Sequence, residues 1–230
     1  MEKLNGYNAT AVIDNGLREY MLNVYNKMGL GLVVSGVIAY LVATVPELTA
    51  LFLSGPQVFL FIFAPLVMVL VMSFGIEKFS AATLQTMFYA YAALMGISLS
   101  TVFMTYQLGS IFQVFGITAV MFLSMSLYGY TTKKDLTSMG GFLLMGLIGL
   151  IVASIINIFM QSAAFDFAIS VIGVLIFVGL TAYDTQKVKE IYYQTSGEDR
   201  AKAGTMGALA LYLDFVNLML HLLKLFGQRK

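Results

Sequence analysis

Five long stretches without a charged side chain constrain the fold of this chain more than any other feature. Asp, Glu, Lys and Arg are absent from residues 28–46, 48–76, 79–132, 136–165 and 167–183. A charge at the middle of a bilayer costs roughly 2.5–3.5 kcal/mol on insertion scales, and a transmembrane helix needs about 20 residues. The stretches therefore predict transmembrane helices. A composition with 59% hydrophobic and 11% charged residues also favours a membrane environment over water.

Seven spans account for this pattern. The stretch 79–132 is too long for one crossing, and its polar centre around Gln107 and Ser110 predicts a turn. The predicted spans are 28–45, 57–76, 81–104, 110–130, 139–160, 167–190 and 205–226. We expect an all-α integral membrane protein with a cytoplasmic N-terminal segment, residues 1–27, and one transmembrane domain, residues 28–230.

The distribution of cationic residues predicts an orientation. If the N-terminus is cytoplasmic, ten Lys and Arg residues fall on the inner side and none in the three outer loops, as the positive-inside rule requires. The ten are Lys3, Arg18, Lys27, Lys78, Lys133, Lys134, Lys187, Lys189, Arg200 and Lys202. The C-terminal tail is the exception, because seven full crossings place Lys224, Arg229 and Lys230 outside. Either the seventh span crosses against the rule, or it is a re-entrant segment that returns to the cytoplasm.

Two acidic residues, Asp184 and Asp214, lie in segments that are otherwise compatible with lipid. An ionisable group inside a membrane span is a functional candidate, because insertion penalises it. The two residues are 30 apart, and their midpoint, position 199, falls in the polar connection 196–200. In an antiparallel helix pair folded about that connection they lie at equal depth and can face each other. The alternative is that each aspartate caps a helix end or pairs with a lysine such as Lys187.

A facing pair of carboxylates has a distinct chemistry. In a dry site both groups cannot ionise cheaply, so they tend to share one proton and can act as a proton sensor. Fully ionised, the pair attracts a cation, and calcium prefers carboxylate and carbonyl oxygen ligands. Asp184 and Asp214 are therefore the candidate gating residues and the candidate calcium ligands.

Two further polar residues follow Asp214 on the same predicted helix. Asn217 can hydrogen-bond the carboxylate, line a cation path or make an interhelical packing bond. His221, the only histidine, lies on nearly the same helical face as Asp214. It can tune a pH response or lie at the membrane interface. A third residue, Asp166, opens the sixth span, where a carboxylate favours the N-terminal helix dipole.

Several function classes are excluded by composition. The net charge of +1 offers no basic surface for a nucleic acid, and the absence of cysteine excludes disulfides and a thiolate nucleophile. No histidine pair with metal-ligand spacing, phosphate-binding glycine loop or nucleophile elbow is found in the sequence. We therefore expect neither an enzyme nor a protein with an organic cofactor.

Three motifs resemble the Bax inhibitor-1 family, also called the transmembrane Bax-inhibitor-motif family, and in particular its bacterial members. They are TAYDTQKVK at 181–189, ALALYLDFVNLMLHLLKLFG at 208–227 and KKDL at 133–136. The resemblance implies a seven-helix bundle around a central seventh helix and a pH-sensitive calcium leak in the bacterial inner (plasma) membrane. It also implies that Asp184 and Asp214 form a di-aspartyl pH sensor.

The resemblance implies a latch as well. In similar bacterial proteins, a basic residue at the inner end of the second span engages the first aspartate. The matching position is near Lys78, preceded by Glu77, and it departs from the arginine-rich run of the family. A lysine is a point donor that cannot grip a carboxylate with a bidentate fork.

Three functions follow from these features. The first is a pH-gated calcium leak channel whose partners are the lipid bilayer and calcium ions. The second is a regulatory protein that binds a membrane-bound protease or another membrane protein through residues 1–27. The third is a cation/proton exchanger, which differs from a leak in moving protons stoichiometrically.

Overall fold

The computed structural model describes the backbone from Glu2 to Lys230 and the side chains from Asn15 onward. Within this part of the chain the fold is all-α, as predicted, and no strand is formed. The helices are α1 (Glu2–Thr44), α2 (Pro46–Leu53), α3 (Val58–Phe74), α4 (Ala81–Thr105), α5 (Leu108–Thr131), α6 (Thr137–Met160), α7 (Ala163–Gln194) and α8 (Gly197–Phe226).

Six of the described helices are long and apolar enough to cross a membrane, namely α1 from Asn15 onward and α4 to α8. The pair α2 and α3 is bent by 72° and adds a seventh span if the two helices count as one. The chain bends at Gly55, whose φ of 70° suits a residue without a Cβ, and Pro56 follows. The predicted second span, 57–76, corresponds to α3, whereas the sequence did not predict α2.

The first helix starts well before the predicted span at 28–45. Its apolar residues Leu17, Met21, Val24 and Met28 recur at helical spacing, and all four are buried in the core. Arg18 and Glu19 beside them are exposed, whereas the half-buried Lys27 donates from its Nζ to Thr205 Oγ1 on α8 at 3.0 Å. No break in the helix marks the predicted boundary between residues 27 and 28, and the side chains of residues 1–14 lie outside the described part.

Helix α8 lies at the centre of the bundle. Within its most apolar window 67% of the residues are buried, against 44% for α4, the next most buried span. It packs against α1, α4, α5 and α7. Small residues allow the close approach of neighbouring spans: a Cβ on Gly96 of α4 would lie 2.7 Å from the carbonyl oxygen of Ser35 on α1.

Helix α8 runs from one face of the bundle to the other without a break. Its 30 residues extend roughly 45 Å at 1.5 Å per residue. At its start, Glu198 Oε1 accepts a hydrogen bond from Ala81 N at 3.3 Å. At its end, the tail joins the α4–α5 connection, where Gln107 N donates to Gln228 O at 2.9 Å. The helix is therefore long enough to cross a membrane completely, and it contains no reversal of the chain of the kind that a re-entrant segment requires.

The element order defines two faces. We call the face with the connections 75–80, 132–136 and 195–196 the N-side, and the face with the 106–107 connection and the C-terminal tail the C-side. Of the cationic residues counted above, the nine with described side chains, from Arg18 to Lys202, belong to the N-side, and the three near the C-terminus belong to the C-side.

Candidate functional site: a carboxylate pair between α7 and α8

Helices α7 and α8 form the antiparallel hairpin that the sequence predicted. Two close approaches fix its register: a Cβ on Gly207 would lie 2.7 Å from Val188 Cγ2, and one on Gly173 would lie 2.5 Å from His221 Nε2. Position 184 on α7 and position 214 on α8 lie between these two contacts. The register therefore brings the two aspartates to the same depth in the bundle.

The side chains of Asp184 and Asp214 are within hydrogen-bonding reach of each other. Asp214 is only 3% exposed, and Asp184 is half-buried. Asp214 Oδ2 is buried without a donor from any other described group. Because an ionised carboxylate only accepts hydrogen bonds, a bond between the two groups requires that the pair hold a proton.

Lys187 is the lysine whose charge reaches Asp184. It lies one turn further along α7, is exposed, and its Nζ stands 5.8 Å from the centre of the Tyr183 ring. No ion pair joins it to Asp184, since the one ion pair among the described side chains links Lys224 and Asp166. Lys187 therefore acts on the acidic pair at a distance and does not neutralise it through a direct ion pair.

A chain of hydroxyl groups lies beside the pair on the α7 side. Thr185, the residue after Asp184, is fully buried, and its Oγ1 lies 2.9 Å from Ser126 Oγ on α5. Ser126 Oγ in turn contacts the hydroxyl of Tyr25 on α1. These bonds connect three spans next to Asp184 and fix the rotation of α7.

The α8 side of the pair is positioned by Tyr212, two residues before Asp214. The fully buried Tyr212 hydroxyl lies 2.6 Å from Ser35 Oγ on α1. Ser35 Oγ also lies 2.7 Å from the Ala92 carbonyl oxygen on α4. The Tyr91 ring packs edge-on against the Tyr212 ring at 5.6 Å between centroids. This arrangement holds the central helix against α1 and α4.

Gln186 joins two of the sequence motifs. Its side chain is 5% exposed, its Oε1 accepts from Leu136 N at 2.8 Å, and its Nε2 donates to Lys134 O at 2.8 Å. The KKDL segment is thereby attached to α7 two residues after Asp184. Lys189 adds a bond from its Nζ to Tyr130 O at 2.8 Å. Both motifs were recognisable in the sequence, but the contact between them was not.

The other polar candidates on α8 do not bond the carboxylates. The Asn217 Nδ2 donates to Leu213 O of its own helix at 2.8 Å. The His221 ring stacks on Phe177 at 5.7 Å, and its buried Nδ1 has no hydrogen-bond partner among the described groups. Asn217 is therefore satisfied within the helix, and His221 packs against α7 nearer the C-side.

The proposed latch residues lie on the N-side. Glu77 and Lys78 are both exposed in the connection after α3. Lys78 N donates to Gly75 O at 2.9 Å, and no ion pair links Lys78 with Asp184 among the described side chains. The resemblance assigns to Lys78 the role of the cation that acts on Asp184, whereas in this structure Lys187 acts on it.

Asp166 lies in the first turn of α7, as predicted, and has a partner that the sequence did not indicate. Lys224 Nζ donates to Asp166 Oδ1 at 2.8 Å. Charge near the C-side end of α8 is thus balanced across the α7–α8 interface.

The described residues contain no group of three or more His, Asp or Glu side chains that could hold a metal ion. Calcium binding would therefore depend on the Asp184–Asp214 pair with backbone oxygens or water. The calcium assignment stays a prediction.

The fold and the buried acidic pair define a polytopic helical membrane protein with a titratable site in its core. The sequence model of the family described as inhibitor of apoptosis-promoting Bax1 matches residues 17–230. The chain therefore belongs to the Bax inhibitor family, and the resemblance drawn from the three motifs is confirmed.

Bacterial relatives share nearly the whole length of the chain. An uncharacterized protein of Caulobacter vibrioides is 47% identical over 226 residues, which cover 94% of this chain and 90% of the relative. Inner membrane protein YbhL of Escherichia coli K12 is 44% identical over 220 residues, which cover 94% of each. An uncharacterized membrane protein of Streptococcus pyogenes is 36% identical over 218 residues, which cover 94% of this chain and 95% of the relative.

Proposed function

We propose that this chain is a pH-sensitive calcium leak channel of a bacterial plasma membrane, gated by Asp184 and Asp214. The observation that carries the proposal is the buried contact of two carboxyl groups across the α7–α8 interface. Membership of the Bax inhibitor family supports it.

The gate depends on how many protons the pair holds. With one proton, a charge-assisted hydrogen bond joins α7 to the central helix, and such bonds are roughly twice as strong as neutral ones. With no proton, two like charges face each other in a medium of low dielectric constant and repel. A calcium ion can then compensate both charges. Closure is therefore strongest while the pair shares one proton, and loss of that proton favours an open path.

Orientation follows from the charges of the two faces. The N-side carries nine Lys and Arg residues with described side chains, so we place it in the cytoplasm. The three cationic residues of the C-side weaken the rule little, because Lys224 is paired with Asp166 and Lys230 Nζ donates to Phe103 O at 2.8 Å.

The test is calcium flux from reconstituted vesicles over a range from about pH 5 to about pH 8. Asp214→Asn supplies an amide that donates to Asp184 without a titratable proton. We expect it to remove most of the pH dependence and to hold flux near the lowest wild-type value. Asp166→Asn is the matched control, since it removes an aspartate of α7 outside the pair. A wild-type pH profile in Asp214→Asn would reject the gating role.

Two alternatives are separated by further measurements. A cation/proton exchanger would move protons with calcium, which a pH dye inside the same vesicles reports. A regulatory protein that binds a membrane protease through residues 1–27 would lose its partner on N-terminal deletion and keep its flux. Because Leu17 is buried in the core, the deletion should stop at residue 14.

A further inference from the structure

A long apolar groove runs along the lipid-facing side of the bundle between α1 and α5. Its volume is about 730 Å³, and α4 and α8 form its floor. Apart from Ser35 and Tyr40, its lining carries no polar side chain. Ser35 already uses its hydroxyl on Tyr212 and on α4. The groove therefore offers almost nothing that could hydrogen-bond water.

The groove opens sideways, towards the hydrocarbon of the membrane. Val33 and Val37 on α1 are 61% and 54% exposed, and Phe112 on α5 is 66% exposed. Filling an apolar space of this kind with water is unfavourable, because water needs two to four polar partners. An apolar occupant supplied by the bilayer satisfies the lining.

Two glycines on α1 keep the groove open. Gly29 and Gly36 are seven residues apart and so share a helical face, and a Cβ on either would meet nothing within 4 Å. By contrast, Gly31 on the packed face of the same helix would place a Cβ 2.8 Å from Phe88. Close packing closes one side of α1 and leaves the other side free.

The C-side end of the groove carries a cation. Phe103 lines the groove, and its carbonyl oxygen accepts a hydrogen bond from Lys230 Nζ at 2.8 Å. The ring of Phe103 packs edge-on against Tyr40 at 6.2 Å. Tyrosine is typical of the membrane–water interface, where lipid phosphates lie. An apolar groove with a lysine and a tyrosine at its interfacial end matches a phospholipid.

We propose that this groove is a binding site for one phospholipid, with an acyl chain between α1 and α5 and its phosphate beside Lys230. A helix from a second protein fits less well, because a span of about 20 residues with a diameter of about 10 Å fills roughly three times the volume of the groove. The acyl chain would contact Phe215 and Val216, the two residues after Asp214 on the central helix. A lipid in the groove would thus contact the central helix directly after Asp214 in the sequence.

The absence of tryptophan makes a direct binding assay available. Phe112→Trp places a single fluorophore in the groove, and phospholipid with brominated acyl chains is titrated into the purified protein in detergent. We expect saturable quenching at low molar ratios of lipid to protein. Phe142→Trp on α6 is the control for an open lipid-facing surface, because the Phe142 side chain is 71% exposed. It should show only non-saturable quenching.

Substitutions that fill the groove test the site itself. In the Phe112→Trp background, Gly36→Leu should weaken saturable binding by about tenfold or more, because the leucine side chain occupies the groove. The fold is retained, since leucine has a better helix propensity than glycine. Gly29→Leu is a second variant of the same kind. Gly149→Leu on α6 is the matched control, because a Cβ there also meets nothing within 4 Å. Lys230→Gln should weaken binding of the phospholipid through loss of the phosphate contact.

The outcomes separate the claims. Loss of saturable quenching in both groove-filling variants, with Gly149→Leu unchanged, supports the site. Equal quenching in the Phe112→Trp and Phe142→Trp proteins, or no effect of either groove-filling variant, overturns it. Fluorescence of the Phe112→Trp protein that responds to protein concentration and not to lipid also overturns it, since the occupant is then a second copy. An unchanged affinity in Lys230→Gln overturns the phosphate contact.

Discussion

Asp184 and Asp214 meet across the α7–α8 interface with their carboxyl groups within hydrogen-bonding reach, and Asp214 is 3% exposed. Burial of two acidic groups against each other is costly unless they share a proton or hold a cation. The arrangement therefore links the stability of the helix hairpin to the protonation of the pair.

Removal of one carboxyl group should loosen the hairpin. Asp214→Ala takes away the partner of Asp184 and leaves a small cavity on the central helix. We expect a loss of about 1–3 kcal/mol in stability, measured as a lower midpoint of thermal unfolding in detergent, together with a raised calcium leak. Asp214→Asn, which retains a donor and the side-chain volume, should lose less than the alanine variant. Equal loss in the two variants would contradict this expectation, because neither the retained side-chain volume nor the amide donor would then contribute to stability.

The cation that acts on Asp184 can be identified by variant pairs. Lys187 reaches Asp184 electrostatically in this structure, whereas Lys78 is exposed after α3. Loss of a nearby positive charge makes the pair hold its proton to a higher pH. Lys187→Gln should therefore move the pH profile of calcium flux to higher pH, and Lys78→Gln should leave it in place. A larger shift in Lys78→Gln would support the latch at Lys78 that the resemblance implies.

Gln186 is expected to hold the α5–α6 connection on α7. Gln186→Ala removes the partners of Leu136 N and Lys134 O, and buried polar groups left unpaired cost about 1–3 kcal/mol each. We expect faster tryptic cleavage after the exposed Lys133 and Lys134 in the folded protein. Gln194→Ala, at an exposed position near the end of the same helix, is the control and should leave the cleavage rate unchanged.

Most of the fold could be predicted because membrane insertion imposes strong rules on the sequence. Charge-free stretches predicted helices α4 to α7 with ends within four residues of those observed, and α8 was predicted with the correct end but a start at 205 instead of Gly197. The prediction was less accurate for α1, where Arg18 and Lys27 suggested a soluble segment although Leu17 and Met21 are buried in the core and Lys27 bonds Thr205 of α8. Helix α2 was missed because its eight residues are too few to register as a span.

The acidic pair was predictable for a different reason. In a hairpin of two consecutive helices, residues equally far from the turn along the chain lie at equal depth in the bundle. The midpoint between Asp184 and Asp214 could therefore be compared with the position of the turn. The supporting contacts have no such local signal. Ser35 and Tyr212 are 177 residues apart, and Gln186 bonds a connection 50 residues earlier. Only the arrangement of non-consecutive helices brings these groups together.

The membrane topology can be tested with single cysteine substitutions in the wild-type sequence, because the chain contains no native cysteine that would have to be removed first. Asp199→Cys puts a thiol on the exposed first turn of α8 at the N-side, and Gly109→Cys puts one on the C-side at the start of α5, where a Cβ meets nothing within 4 Å. A membrane-impermeant maleimide applied to intact cells should label position 109 only, since the cationic N-side is cytoplasmic. Inverted vesicles should give the opposite result. Labelling of both positions from one side would contradict the full crossing of α8, and exchanged labelling would reverse the orientation while the bundle stays as described.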